Sequence, residues 1–467
     1  VTNILDAPAR PTTALLDALA EIVGPGELLT GPDTEPFRRD RSDGTPSGSP
    51  AAVVLPTSTE QVAAVVAVAA AHGIAIVPQG ARTGLAGGAN PGDGDLVVST
   101  SRMTRILAVD AADRTATVEA GVLTIDVDRA AAGVGLFYPP DPASVAISTI
   151  GGNVATNAGG MRCVKYGVTG DFVRRLTVVL ADGRIARTGH LTTKGVTGLD
   201  LTSLLVGSEG TLGIITEVTV ALLPRPGSAS GVLAAFPSTT AVLAAADEIA
   251  LSSRRPSVLE YLDAASVAAI KAHDPAWFLP ADAEAVLLVQ SDEQGRAVVD
   301  VEEYAAIAEQ HGATLVEVAH YAEALDRLMS ARRLLHPALR ELHGAILNED
   351  VAVPRSQLSA LLRGIEALAD ELGVTVATGG HLGDGNLHPS ICYDPSDPAA
   401  EAAAVRAHGR IIELAVALGG TLSGEHGIGV LKRDHVGAEL GDVVVGLQQQ
   451  VKRALDPRGL LNPGKKL

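Results

Sequence analysis

Two cysteines, one tryptophan and an aromatic content of 3% leave this 467-residue chain without several common devices. Cys163 and Cys392 are far apart. They exclude a disulfide framework and a cysteine-ligated iron–sulfur cluster within the chain, and each reads as a small buried apolar residue. Cations are also scarce: 36 Lys and Arg against 54 Asp and Glu give a formal net charge of -18. That balance argues against nucleic acid as a partner, because phosphate binding needs clustered Lys and Arg. Long hydrophobic runs are missing too. The longest, Ala63 to Val77, contains His72 and Gly73 and is too short to span a bilayer. Asp6, Asp17 and Glu21 interrupt any basic-plus-apolar leader pattern at the start. The expectation is a soluble protein of the cytoplasm.

What is present is a large apolar fraction, 46%, enough for two or three domains with real cores. Residues 11–24 carry the spacing of an amphipathic helix (Leu15, Leu16, Leu19, Ile22), ended by Gly24-Pro25-Gly26. A polar loop over 36–50 precedes an α/β alternation. Strands are expected at 52–55, 74–78, 95–99 and 115–119, with a helix from Thr59 to Ala71. Ala181-Asp182-Gly183-Arg184 is a hairpin turn, and Ile214 to Val220 is a strand ending at Pro224-Arg225-Pro226. That exit suggests a first domain over 1–226. Residues 227–420 read as an antiparallel-sheet domain with helices on one side, and 421–467 as a largely helical C-terminal segment.

Four segments carry chemistry. Pro78 to Gly88 follows a strand and contains Gly80-Ala81-Arg82-Thr83-Gly84-Leu85. A glycine-rich turn at a strand end lets backbone N–H groups converge on an anion, and Thr83 adds a hydroxyl. It is neither a Walker loop nor a GxGxxG fingerprint. Pro139-Pro140-Asp141-Pro142 and the run Ser148-Thr149-Ile150-Gly151-Gly152-Asn153-Val154-Ala155-Thr156-Asn157-Ala158-Gly159-Gly160 are rich in small residues and amides. Such a run makes a poor helix or strand interior, so a large flat ligand with polar edges fits against it. Gly207-Ser208-Glu209-Gly210, leading to Ile215, is a weak signal and reads more readily as a plain turn into the strand.

The fourth segment pairs Gly380-His381-Leu382-Gly383-Asp384-Gly385-Asn386-Leu387-His388 with Gly424-Glu425-His426-Gly427. Gly383 to Asn386 is a turn signal, so a hairpin or bend brings His381 and His388 together. With Glu425 they form a three-ligand, open metal site suited to zinc, iron or manganese. His426 has the chemistry of a base. Arg332, in a helical stretch, has the planar fork that clamps a carboxylate, although a helical Arg is more commonly part of a solvated or ion-paired face. Most other histidines, His408 among them, read as surface or satisfied core groups.

In this order the motifs resemble the FAD-linked oxidases of the vanillyl-alcohol oxidase superfamily. The similarity is closer to the D-2-hydroxyacid dehydrogenase group: D-lactate dehydrogenase, D-2-hydroxyglutarate dehydrogenase and the glycolate oxidase flavin subunit. The resemblance runs from about residue 40 to the C-terminus and includes Asn462-Pro463-Gly464-Lys465. It implies an α+β fold: an FAD-binding domain of the PCMH type in two α/β subdomains, a ferredoxin-like substrate domain, and a helical C-terminal cap returning to the flavin. It implies FAD at residues 80–85, at Pro140, Asp141, Thr149, Gly152, Asn153, Thr156, Ala158 and Gly160, and at Gly210, Ile215 and Asn462. The first glycine loop has no His, so FAD is expected to be non-covalent.

Residue by residue, the resemblance matches His381, His388 and Glu425 to metal ligands, zinc foremost, His426 to the catalytic base and Arg332 to the substrate C1 carboxylate. Asn348 stands where the hydroxyglutarate branch places a Lys, and His336 where it places a Thr. The implied reaction is oxidation of a D-2-hydroxy acid to the 2-oxo acid, with D-lactate or a similar monocarboxylic acid favoured over D-2-hydroxyglutarate or glycolate. Electrons would leave to a separate acceptor (a quinone, an electron-transfer flavoprotein, a cytochrome or oxygen), and a homodimer is compatible. The rival readings are a flavin enzyme without net redox, a zinc hydrolase and a non-catalytic metal-binding protein.

Overall fold

The computed structural model describes residues 12–275, 277–280 and 283–467. Asp6 and the first residue of the helix expected over 11–24 lie outside them. The chain divides into two compact units. One comprises residues up to Gly160 together with Val168–Arg225 and Glu425–Leu467; the other comprises Met161–Gly167 and Pro226–Gly424. Among the described residues no helix is long and apolar enough to cross a membrane.

The first unit begins with α1 (Thr13–Val23), whose N-cap Thr12 accepts the Leu15 N–H and whose apolar stripe buries Leu15, Leu19 and Val23. Next come β1 (Ala52–Val54), α2 (Thr59–His72), β2 (Ile76–Gln79) and β3 (Leu96–Ser99). Ser58 caps α2, and Gly73, at φ 68°, ends it. β1 and β2 both pair parallel with β3, and a two-residue strand, Leu28–Leu29, adds antiparallel to β1. A second, antiparallel sheet is built from β4 (Ile106–Asp110), β5 (Thr115–Glu119), β6 (Val173–Val179), β7 (Ile185–Gly189) and β8 (Ile214–Ala221), in the order β4-β5-β8-β6-β7. β4 is an edge strand, and its apolar run Ile106-Leu107-Ala108-Val109 is largely exposed, so burial gives it no two-residue alternation. The C-terminal segment is part of this unit. Leu461 joins the core of α1, α2 and the first sheet. Lys452 Nζ donates to Thr211 O at 2.7 Å and to Leu461 O at 2.8 Å.

Among the described residues the second unit is one eight-stranded antiparallel sheet, its eighth strand the two-residue Val351–Ala352, which pairs with Asn386–Leu387 off the main strand order. Its elements in chain order are β9 (Ser230–Phe236), α3 (Thr239–Leu251), β10 (Val258–Asp263), α4 (Ala264–His273), β11 (Ala285–Ser291), α5 (Ala297–Gln310), β12 (Leu315–Ala319), α6 (Ala322–His343), β13 (Ala345–Asn348), α7 (Leu358–Leu372), β14 (Thr375–His381), β15 (Asn386–Tyr393) and α8 (Pro398–Ala417). The order β12-β9-β11-β10 is the ferredoxin-like arrangement of a βαββαβ unit, continued by β14-β15-β13.

Helices cover both faces of this sheet, not one side as the sequence suggested. β9 is buried at every position. Leu233, Ala235, Leu262 and Leu288 pack under α4 and α6 with Ile270, Leu335 and Leu339. The alternate residues Val232, Ala234, Phe236 and Leu287 are buried as well, under α3 and α5. A strand covered on both faces has no polar side, so the period-2 signal that would have counted the layers is lost. Cys392 is buried in this core, whereas Cys163 is only half-buried.

Candidate active site

In the second unit, strand register makes a polar cluster. β14 and β15 form the hairpin anticipated at residues 383–386, with His388 opposite Gly379 and Asn386 opposite His381. His381 lies two residues beyond Gly379 on its strand, so its side chain is on the same face as His388, as a diagonal neighbour. Gly379 offers no side chain opposite His388. The imidazole Nε2 atoms are 3.2 Å apart and the ring planes are 85° apart. On the other side, β10 sets Glu260 directly opposite His381. The Glu260 carboxylate binds His381 Nδ1 and also accepts Arg332 Nε–H at 3.1 Å. α6 buries Leu335 and Leu339 on this face, and Arg332 and His336 share that side of the helix at i, i+3, i+4 and i+7 spacing.

Glu260 is fully buried. Burial alone would raise its pKa, but the charges and hydrogen bonds of His381 and Arg332 outweigh it and hold the carboxyl below the usual carboxylate value. Arg332 is therefore ion-paired inward, which fixes its guanidinium and leaves both Nη nitrogens outside this bond. Asp350, also fully buried, supports His388: its Oδ1 lies 3.6 Å from His388 Nδ1. The same carboxylate accepts Asn386 Nδ2–H at 2.8 Å and Ser423 Oγ–H at 2.8 Å. Further along this face, Ser390 Oγ–H donates to Asn348 Oδ1 at 3.1 Å. His408 is a buried core group whose Nε2 contacts the buried Glu349 carboxylate.

Two imidazole nitrogens facing each other, each backed by a carboxylate, suit a cation. Two N ligands about 2.05 Å from a tetrahedral ion would be about 3.3 Å apart. A carboxylate behind a ligating His is the usual support for its orientation.

In the first unit a cleft runs along the ends of both sheets, with an empty volume of about 1310 Å³ counted to open solvent. Gly80, Ala81, Arg82, Thr83, Gly84 and Leu85 line it, with Thr149, Gly152, Asn153, Thr156, Ala158, Gly210 and Ile215. Glu425 and His426 line it as well, with His426 Nε2 at 3.9 Å from Glu425 Oε1. Its walls are small because they abut: a Cβ on Gly80 would come within 2.2 Å of Thr149 Oγ1. Gln79 Nε2 donates to Phe37 O and Ala89 O, both at 2.8 Å, and so closes the base of the first glycine loop. Arg82, at φ 56°, sits over the Phe37 ring, and burial lowers its pKa. Burial likewise raises that of Asp40, which also lines the cleft.

Four residues expected at the cofactor do not line this cleft. Pro140 is buried, Asp141 and Gly160 pack against each other, and Asn462 is a structural tie. Asn462 Nδ2 donates to Gly88 O at 2.9 Å and Glu209 O at 2.7 Å. Sequence reasoning in turn passed over Glu209, Glu260 and the Asp350 side chain. The signal for Glu260 was present, as a lone charge inside the apolar strand Val258-Leu259-Glu260-Tyr261-Leu262. Glu209 was absorbed into a turn motif.

Comparison with known proteins agrees with the glycine-walled cleft. Residues 50–189 match the family of the FAD binding domain, and residues 225–466 match that of the C-terminal domain of FAD linked oxidases. The chain is 40% identical over 426 residues to the glycolate oxidase subunit GlcD of Bacillus subtilis (strain 168), covering 91% of this chain and 90% of that protein. It is 35% identical to a D-lactate dehydrogenase of Anaerostipes hadrus, covering 98% of each. The structure of 4-ethylphenol oxidase from Gulosibacter chungangensis shares the fold, with a TM-score of 0.79 at 19% identity over 98% of both chains.

Proposed function

The chain belongs to the FAD-linked oxidases, as an oxidoreductase of the D-lactate, glycolate and 2-hydroxyglutarate dehydrogenase group, and from that premise we propose that it oxidises a small D-2-hydroxy monocarboxylic acid, D-lactate or a near relative, to the 2-oxo acid. Membership of an FAD-linked oxidoreductase family sets aside the hydrolase and non-catalytic readings. The observation that carries the proposal is the buried face on which Glu260 holds both Arg332 and His381, with His388 beside it. It combines a fixed guanidinium for a carboxylate with a pair of imidazoles for a cation.

The cleft of the first unit fits FAD, because its small-residue walls admit a flat ring and its Gly80 to Leu85 loop presents backbone to a pyrophosphate. In the proposed reading these residues would hold FAD non-covalently, and the flavin would supply the hydride acceptor for C2. His381 and His388, with Glu425 as the proposed third ligand, would hold a divalent cation, which would supply the acidity that the α-hydroxyl needs. Arg332 fixes the C1 carboxylate with its Nη nitrogens, so that one face of C2 is presented. His426 accepts the hydroxyl proton. Asn348 and Ser390 satisfy each other as a neutral pair where the hydroxyglutarate branch carries a Lys, which supports an uncharged substrate side chain. Electrons then leave to a separate acceptor.

The test is anaerobic mixing of the FAD-loaded enzyme with a panel of D- and L-2-hydroxy acids, followed by the flavin absorbance. D-lactate is expected to bleach the flavin fastest, and L-lactate should leave it oxidised. Fastest bleaching by D-2-hydroxyglutarate would overturn the side-chain assignment. No bleaching by any 2-hydroxy acid would overturn the reaction.

A further inference from the structure

Glu209 is a buried carboxylate in the first unit with no place in the scheme above. Its side chain is 4% exposed, it lines the cleft beside Glu425 and His426, and its backbone holds a left-handed φ of 52°. A non-glycine residue in that conformation costs energy, and such strain collects at functional positions. Both oxygens are used. Oε1 accepts the Ile428 N–H at 2.8 Å, and Oε2 accepts the Gly429 N–H at 2.7 Å. Those donors follow His426 by two and three residues. From the other side, Ala86 O accepts the Val430 N–H at 2.9 Å. The turn has no slack: Gly427 has φ 85°, and a Cβ there would meet Glu209 Oε1 at 3.1 Å. The main chain of Glu209 is anchored as well. Its N–H donates to Ala155 O at 2.8 Å, in the helix that lines the cleft, and its carbonyl accepts from Asn462 at 2.7 Å.

We propose that Glu209 is the positioning residue for His426, clamping the turn that follows it so that the imidazole is held at one place along the cleft. The proposal rests on the reading of His426 as the proton acceptor. A carboxylate offers an acceptor to each N–H at once, and its charge also faces the Lys466 Nζ at 3.5 Å. An amide offers a single oxygen and turns an N–H₂ toward the second donor.

The experiment compares the FAD-loaded Glu209→Gln, Gly427→Ala and His426→Ala enzymes with the parent. It measures anaerobic flavin reduction by D-lactate, FAD retention, and hydrogen exchange over residues 424–432. Glu209→Gln is expected to retain FAD and keep its half-saturating substrate concentration. Its limiting rate should fall on the order of 10²-fold, the scale of a misplaced catalytic group, and exchange at Ile428 and Gly429 should speed up. Gly427→Ala pushes the same turn from the opposite side and should show the same split, which keeps the idea testable if Glu209→Gln does not fold. Loss of FAD or weakened substrate binding in place of a slower limiting rate would make the clamp purely structural and overturn the proposal. A parent-like rate in both clamp variants while His426→Ala is slow would overturn it too, leaving the base intact. A parent-like rate in His426→Ala would instead remove the base on which it rests.

Discussion

Replacing His426 with Ala is expected to slow flavin reduction by D-lactate by roughly 10²- to 10⁴-fold, the usual contribution of a positioned acid–base group. FAD should stay bound, because the glycine loops at 80–85 and 149–158 supply much of the cleft wall and His426 is one lining side chain among many. Substrate affinity should change little, because the carboxylate is assigned to Arg332 and the hydroxyl to the cation. The loss should therefore appear in the limiting rate of the reductive half-reaction, leaving the half-saturating concentration nearly unchanged. That pattern identifies an interaction made in the transition state. The effect is large because an α-hydroxyl must lose its proton as the hydride departs, and water is a poor acceptor at neutral pH. Stopped-flow reduction at a parent-like rate would exclude His426 as the base.

Removal of the cation is the second large effect. Chelation, or His381→Ala or His388→Ala, should bring turnover to background and deplete the bound metal, measured by elemental analysis, while the flavin spectrum persists. The spectrum and the metal content separate because the cofactor cleft and the imidazole pair are built by different units. Glu260→Gln should act more subtly. Carboxylates behind metal-ligating imidazoles typically contribute about 10- to 100-fold in metal affinity. Glu260 also holds Arg332, so the same substitution should raise the half-saturating D-lactate concentration even when metal is restored in excess. An enzyme stripped of metal yet reducing its flavin at full rate would refute the role of the cation.

The parts of the site legible in the sequence were those whose conformation is a local matter. Gly80 to Gly84 and the 149–160 run announce themselves because few residues tolerate a backbone approached that closely. The Gly383-Asp384-Gly385-Asn386 turn gives the hairpin its bend, and the hairpin formed as expected. Ser58 and Gly73 bracket α2 as caps do anywhere. The illegible parts depend on partners distant in the chain. Glu260 is 121 residues from His381, and it meets that histidine only because β10 pairs with β14 in one register. Slipping that register by one residue would turn Glu260 to the opposite face, and nothing local in either strand specifies it. The motif around Asn462 gives no hint that its Nδ2 ties together two backbone carbonyls distant in the chain, Gly88 O and Glu209 O. Glu209 was read as part of a turn. Its use became visible only when Ile428 and Gly429, more than two hundred residues later, returned to it.

The sequence by itself determined the family and the chemical inventory: glycine-rich loops, two imidazoles and a carboxylate of a kind that could hold a cation, and an imidazole next to that carboxylate. Those are properties of residue type and short spacing, set by backbone conformation and side-chain chemistry. Only the tertiary structure decided which carboxylate orients which group. Buried charges must be paired at the places where strands and helices bring them together, and those places are fixed by long-range pairing and packing across the whole chain.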